Sequence, residues 1–155
     1  MGLKTLCAGV LAACVATVGL AGAATAQATL YDCQITKGGK AGTWISPRAV
    51  LIVENGGTAR VVDGVTLAFV DGGAATARLR RSGASYRFDW NVSGAVDSMQ
   101  QILPTFTYRA TLDTATGTVR LSAKPARAPQ RFSGSGTCTT RENISVRDLN
   151  RLLRG

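Results

Sequence analysis

Six arginines form the pattern in this chain with the plainest chemical meaning: Arg78, Arg80, Arg87, Arg109, Arg120 and Arg131. All six occupy polar positions of stretches in which apolar and polar residues alternate, which puts them on the solvent face of strands. Guanidinium groups gathered on one face bind phosphate, sulfate or carboxylate through paired N–H donors. The bulk charge agrees: 18 Lys and Arg stand against nine Asp and Glu, for a formal net charge of +9. The expected partner is an anionic envelope component, such as a lipopolysaccharide phosphate or an acidic glycan. The plainer role of such residues is a solvated face that discourages edge pairing. Nucleic acid is a poor fit, because few aromatic residues are left for base stacking.

Catalytic chemistry has little to work with. The chain has no histidine, which removes Ser-His-Asp and Cys-His nucleophile systems and every histidine metal site. Asp63 and Asp71 fall at turn positions, where a carboxylate ordinarily bonds its own backbone. Asp89 lies among arginines, where ion pairing is its ordinary role. The expectation is a protein that is not an enzyme, with no catalytic residue, cofactor or metal site.

Three stretches show how the arginines must be carried. Tyr86, Phe88, Trp90 and Val92 alternate with Arg87, Asp89 and Asn91; Phe106, Tyr108, Ala110 and Leu112 alternate with Thr105, Thr107, Arg109 and Thr111; Val119, Leu121 and Ala123 alternate with Thr118, Arg120, Ser122 and Lys124. A period of two is that of a half-buried antiparallel strand. Turn chemistry separates such stretches at Asn55-Gly56-Gly57, Asp63-Gly64, Asp71-Gly72-Gly73, Ser82-Gly83 and Thr116-Gly117, a spacing that suits sequential hairpins. The predicted strands are 30–35, 48–54, 59–62, 65–70, 74–81, 84–92, 105–113, 118–124 and 131–139. The fold class is therefore all-β, an antiparallel up-and-down meander of about eight or nine strands. A barrel is favoured over a sandwich, because the turns imply hairpins rather than long crossovers. Residues 93–101 lack alternation and read as a loop with one helical turn.

The ends of the chain add an address and a tail. Lys4, an apolar run from Thr5 to about Gly22, and Ala24-Thr25-Ala26 together read as a secretory signal cleaved after Ala26. A lipobox at Leu11–Cys14, with lipidation of Cys14, is the minor alternative. Cleavage discards Cys7 and Cys14 and leaves Cys33 and Cys138, which an oxidising periplasmic or extracellular compartment would join as a disulfide. The expected organisation is a signal peptide over 1–26, a β domain over 27–141 and an amphipathic tail over 142–155. In that tail Val146, Leu149, Leu152 and Leu153 fall at helical spacing, opposite Arg147, Arg151 and Arg154. A short C-terminal helix that docks on the barrel is expected. Contact of the tail with an anionic membrane is disfavoured by its small apolar face.

Three resemblances accompany these residues. Gly42-Thr43-Trp44 is similar to the Gly-x-Trp of lipocalins and other calycin barrels, which implies an eight-stranded barrel closed at one end by the tryptophan around a small apolar ligand. Tyr31-Asp32-Cys33, Ser82-Gly83-Ala84-Ser85-Tyr86, Trp90 and Cys138 resemble the periplasmic C-type lysozyme inhibitors of the MliC type. That likeness implies an inhibitor of a secreted hydrolase, lysozyme or a protease, presenting the Ser82–Tyr86 loop. Over most of the chain after the signal, Tyr31–Cys33, Gly42–Pro47, Tyr86–Trp90, Tyr108–Leu112 and Gly136–Cys138 look like small secreted bacterial β-proteins with a Tyr-x-Cys start and a Gly-x-Cys close, and that likeness carries no activity. The function expected from all of this is a non-enzymatic binding or structural role, with hydrolase inhibition as the alternative.

Overall fold

Alternation becomes strand with few exceptions. The structure, a computed structural model, describes residues 27–38, 44–55, 57–96 and 99–145. Eight strands follow in chain order: β1 Gln27–Gly38, β2 Arg48–Glu54, β3 Ala59–Asp63, β4 Ala75–Ser82, β5 Ser85–Val92, β6 Phe106–Asp113, β7 Thr118–Pro125 and β8 Phe132–Ser145. Each pairs antiparallel with the next, and β8 returns to β1, so the sheet closes into an up-and-down barrel. Strand β8 runs to Ser145, past the expected boundary of the β domain. The expected signal segment, 1–26, and the part of the tail expected to be helical, 146–155, lie outside the described residues.

One expected strand is a helix. Residues 65–70 were assigned to a strand by their apolar run, but Gly64–Phe69 forms the helix α1, followed by a 3-10 turn at Asp71–Gly73. Local chemistry decides it. The Asp63 carboxylate accepts the Thr66 N–H at 2.7 Å, while the Asp63 N–H donates to Thr66 Oγ1 at 2.8 Å. This reciprocal cap satisfies two backbone N–H donors at the helix start. Val65 and Phe69, four residues apart, then turn to the barrel's interior cluster. Asp63-Gly64 is thus a helix cap rather than a hairpin turn, and the strand count is eight, within the expected eight or nine.

The interior is packed with side chains. Tyr108, Phe88, Leu51, Leu112, Leu121 and Val61 are fully buried in one cluster. Trp90 stacks on Tyr108 with ring centres 5.2 Å apart, and Trp44 stacks on Phe106 at 4.2 Å. Trp44 also takes the Tyr108 hydroxyl on its carbonyl at 3.1 Å. Burial, with the Asp63 carboxylate nearby, pushes the Tyr108 phenol far above its ordinary pKa. A gap between Cys33, Ile35, Leu51, Ala110 and Leu121 leaves no room for a water molecule.

The barrel is closed covalently at the β1–β8 seam. Cys33 and Cys138 are register partners, and their bridge has a Cα–Cα distance of 3.9 Å. The bridge spans 105 residues of chain, worth roughly 4–5 kcal/mol in the chain-entropy account. Gly136, two residues before the bridge, lies opposite Ile35, and a Cβ there would sit 1.8 Å from the Gln34 carbonyl oxygen. Only glycine lets the two backbones approach this closely. That gives the Gly-x-Cys close its structural meaning.

Candidate functional site

The strand register assembles the expected arginines on the outer face of β4–β8. Arg80 lies opposite Arg87, Arg87 opposite Thr111, Thr111 opposite Arg120, and Arg120 opposite Ser135. A second row, two residues along, runs Arg78, Asp89, Arg109, Ser122 and Ser133. Neighbouring strands are about 4.8 Å apart, so Arg87 and Arg120 stand roughly 10 Å from each other. Arg131 precedes β8 and lines the same surface as Arg109 and Arg120. All six arginines singled out by alternation therefore belong to one face.

Few carboxylates temper that face. Asp89 accepts from Arg109 Nε at 2.7 Å, with Arg87 Nε at 3.2 Å from its other oxygen. The Arg87 contact is an ion pair without an aligned hydrogen bond. Among the described residues, Arg78, Arg80, Arg120 and Arg131 have no ion pair. Arg80 opposite Arg87 places like charges directly across a strand pair, an arrangement that costs stability unless an anion relieves it.

Hydroxyl groups complete two shallow depressions. One, of about 350 Å³, lies between Arg109, Arg120 and Arg131 and is floored by Ser122, Ser133 and Ser135. The other, of about 420 Å³, lies between Arg80, Arg81 and Arg87 with Ser82 and Ser85. Thr111 borders both. Guanidinium and hydroxyl donors around an open hollow suit an oxyanion such as phosphate or sulfate. The arginines were legible from alternation; the Ser and Thr hydroxyls between them were missed, because singly they are ordinary surface residues.

Other expected residues gather elsewhere. The β4–β5 hairpin exposes Ser82–Ser85 at its tip. Beside it, Arg81 stacks over the Tyr86 ring at 5.3 Å, and Tyr86 meets Tyr31 edge-on at 6.3 Å. Glu54, Thr29 and Asn55 join them around a polar cup of about 300 Å³ at that mouth of the barrel. At the other end Trp44 packs against Phe106 and Phe69. Among the described residues, no three His, Cys, Asp or Glu side chains come together as a metal site would need, and no helix is long and apolar enough to cross a membrane.

No protein family, curated protein or solved structure matches this chain. The class of the molecule is therefore defined by its own geometry: a filled, disulfide-closed, eight-stranded barrel with a basic outer face.

Proposed function

We propose that this chain is a secreted or periplasmic protein, released by cleavage after Ala26, that binds an anionic envelope component through the outer face of β4–β8. The observation that carries the reading is the register, which lines up Arg80, Arg87 and Arg120 in one row beside Arg78 and Arg109 in the next. Such a row presents charges at strand intervals, the spacing of a repeating polyanion rather than of a single small ion. The disulfide is of a kind that persists in oxidising compartments. The filled interior favours a surface role over an apolar ligand held inside. Charged and hydroxyl residues on this outer face also fit water better than lipid, since a spanning barrel needs an apolar band there. The reading requires no catalytic group, cofactor or metal.

The test is binding to lipopolysaccharide-bearing vesicles against zwitterionic ones, over a salt series. Reversing two exposed arginines, Arg80→Glu with Arg120→Glu, should weaken binding about tenfold or more and flatten its salt dependence. Binding that is unchanged by this pair ends the proposal.

A second reading is inhibition of a secreted hydrolase. The exposed Ser82–Ser85 hairpin supports it, and the flanking Arg80, Arg81 and Arg87 suit an acidic substrate cleft rather than a basic enzyme surface. Titration against acidic secreted hydrolases with no loss of their activity would remove it.

A further inference from the structure

The large apolar side chains left exposed among the described residues all lie at one end of the barrel. Ile102 is 80 %, Met99 72 %, Leu67 58 % and Val96 39 % exposed. Alternate connections of an up-and-down barrel share an end. Leu67 belongs to the β3–β4 connection, and Val96, Met99 and Ile102 belong to the β5–β6 connection. Val96 and Ile102 pair as an isolated bridge, and partners in such a pair point to the same side. Asp97, between Val96 and Met99 in the chain, lies outside the described residues. Trp44, on the β1–β2 connection, links the two groups from behind: its ring lies 6.2 Å from Phe69 of α1 and 4.2 Å from Phe106 at the start of β6. Single exposed apolar residues are ordinary; four on two connections over a shared aromatic floor mark a contact surface.

The same end is basic. Lys124 near the end of β7, and Arg127 and Arg131 in the β7–β8 connection, are exposed and have no ion pair among the described residues. An exposed carboxylate, Asp71, stands at this end against the three. Arg131 also lines the hollow that holds Arg109 and Arg120, so the basic end is continuous with the outer face of β4–β8. Apolar tips ringed by cations fit a lipid boundary, where apolar groups enter the acyl layer and cations meet phosphates.

We infer that the partner of the basic face is an anionic glycolipid held in a membrane. Leu67, Val96, Met99 and Ile102 enter its acyl layer, and the arginines follow its headgroup up the barrel wall. The inference rests on the anion-binding reading of β4–β8. Reach decides between glycolipid and phospholipid. A phospholipid headgroup layer is roughly 5–8 Å deep. Arg80 lies five residues beyond Ala75, where β4 leaves the apolar end. At about 3.3 Å per residue and a tilt of about 40°, that puts it roughly 13 Å up the wall. A headgroup extended by sugars reaches that height from the acyl layer; a phospholipid headgroup does not.

The experiment uses protein recovered from the cell envelope and three probes: vesicles bearing lipopolysaccharide, phosphatidylglycerol vesicles of the same surface charge, and the lipid-free polysaccharide of the first. Lipopolysaccharide vesicles should bind at least tenfold more tightly than either of the others. In Ile102→Trp, brominated acyl chains should quench the added fluorescence on binding. Leu67→Asp with Ile102→Asp changes two exposed residues and should leave the urea midpoint in place. This pair should lose the tenfold advantage of vesicle over lipid-free polysaccharide and keep its affinity for the latter. Equal binding of vesicle-borne and free polysaccharide, equal binding of phosphatidylglycerol vesicles, or no quenching in Ile102→Trp would each overturn the inference and leave the anion-binding reading standing. That reading fails separately, if Arg80→Glu with Arg120→Glu leaves binding of the lipid-free polysaccharide unchanged.

Discussion

Two flanks of one barrel share a core and differ in everything outside it. On the β1–β3 flank the outward residues Ala28, Leu30, Ile52 and Val62 are buried beside Val50, and the charges among them are largely paired: Arg48 donates to both Asp32 oxygens at 2.8 and 2.5 Å, and Arg60, opposite Ile52, meets Glu54 at 2.5 Å. On the β4–β8 flank a single carboxylate, Asp89, serves Arg87 and Arg109, and four further arginines have no ion pair among the described residues. The difference follows from solvation. A surface that will be covered cannot carry unmatched charge without a desolvation cost. A surface left in water can hold a surplus and keep it available to a partner. The same strand alternation thus builds a buried apolar patch on one side and a charged, solvent-facing surface on the other.

The largest effect is expected at the seam between the flanks. Replacing Cys33 and Cys138 together by serine should lower unfolding stability by roughly 4–5 kcal/mol, read from denaturant midpoints under oxidising conditions. A sharper comparison places the same charge on each flank. Ile52→Asp should cost roughly 3 kcal/mol or more, because it puts a carboxylate in a covered apolar patch. Arg120→Asp should stay within about 0.5 kcal/mol. Equal costs would break the comparison. A smaller effect tests the surplus itself: Asp89→Asn should tighten binding to anionic vesicles several-fold at low salt, with a stability change under about 1 kcal/mol. Weaker binding by this variant would mean that Asp89 organises the arginines rather than neutralising them.

The two flanks also differ in how legible they were. The basic flank could be read directly, because Arg87, Asp89, Arg109, Arg120 and Ser122 alternate with buried partners, and period two is the signature of a strand wet on one side. What alternation could not supply was register, which alone sets Arg80 against Arg87 and Thr111 against Arg120. The covered flank had its own signal in the unbroken run Ala49–Val53 and in Val61-Val62. Continuous apolar sequence marks a strand buried on both faces, but so short a run does not by itself distinguish that from a strand with one face in water. Residues 65–70 failed for a different reason. A six-residue apolar run fits a strand or a helical turn equally, and the deciding Asp63–Thr66 exchange is a cap pattern outside the usual Glu or Gln partner.

The smallest expected effect separates two aspartates by the sign of their pH dependence. Asp32 belongs to the covered flank's matched pairs, and hydrogen bonding to Arg48 holds its carboxyl below the ordinary value. Its contribution is present above the ordinary aspartate pKa of about 3.9 and is lost as pH falls through the depressed folded value. Asp63 is the reverse. Burial raises its pKa against the opposing hydrogen bonds from Thr66 and Val65, and its Oδ2 has no hydrogen-bond partner. Its charge therefore costs stability in full above the raised value, and that cost is relieved as pH falls from there toward about 3.9. These two groups give stability that rises and then falls on acidification. Asp63→Asn keeps an oxygen to accept the Thr66 N–H and should flatten only the upper limb of urea midpoint against pH. Asp32→Asn should flatten only the lower limb, by less than about 1 kcal/mol because the pair is at the surface. A lower limb untouched by Asp32→Asn would mean that matched charge at the margin of the covered face adds nothing to stability, and that the flanks differ only by their apolar cover.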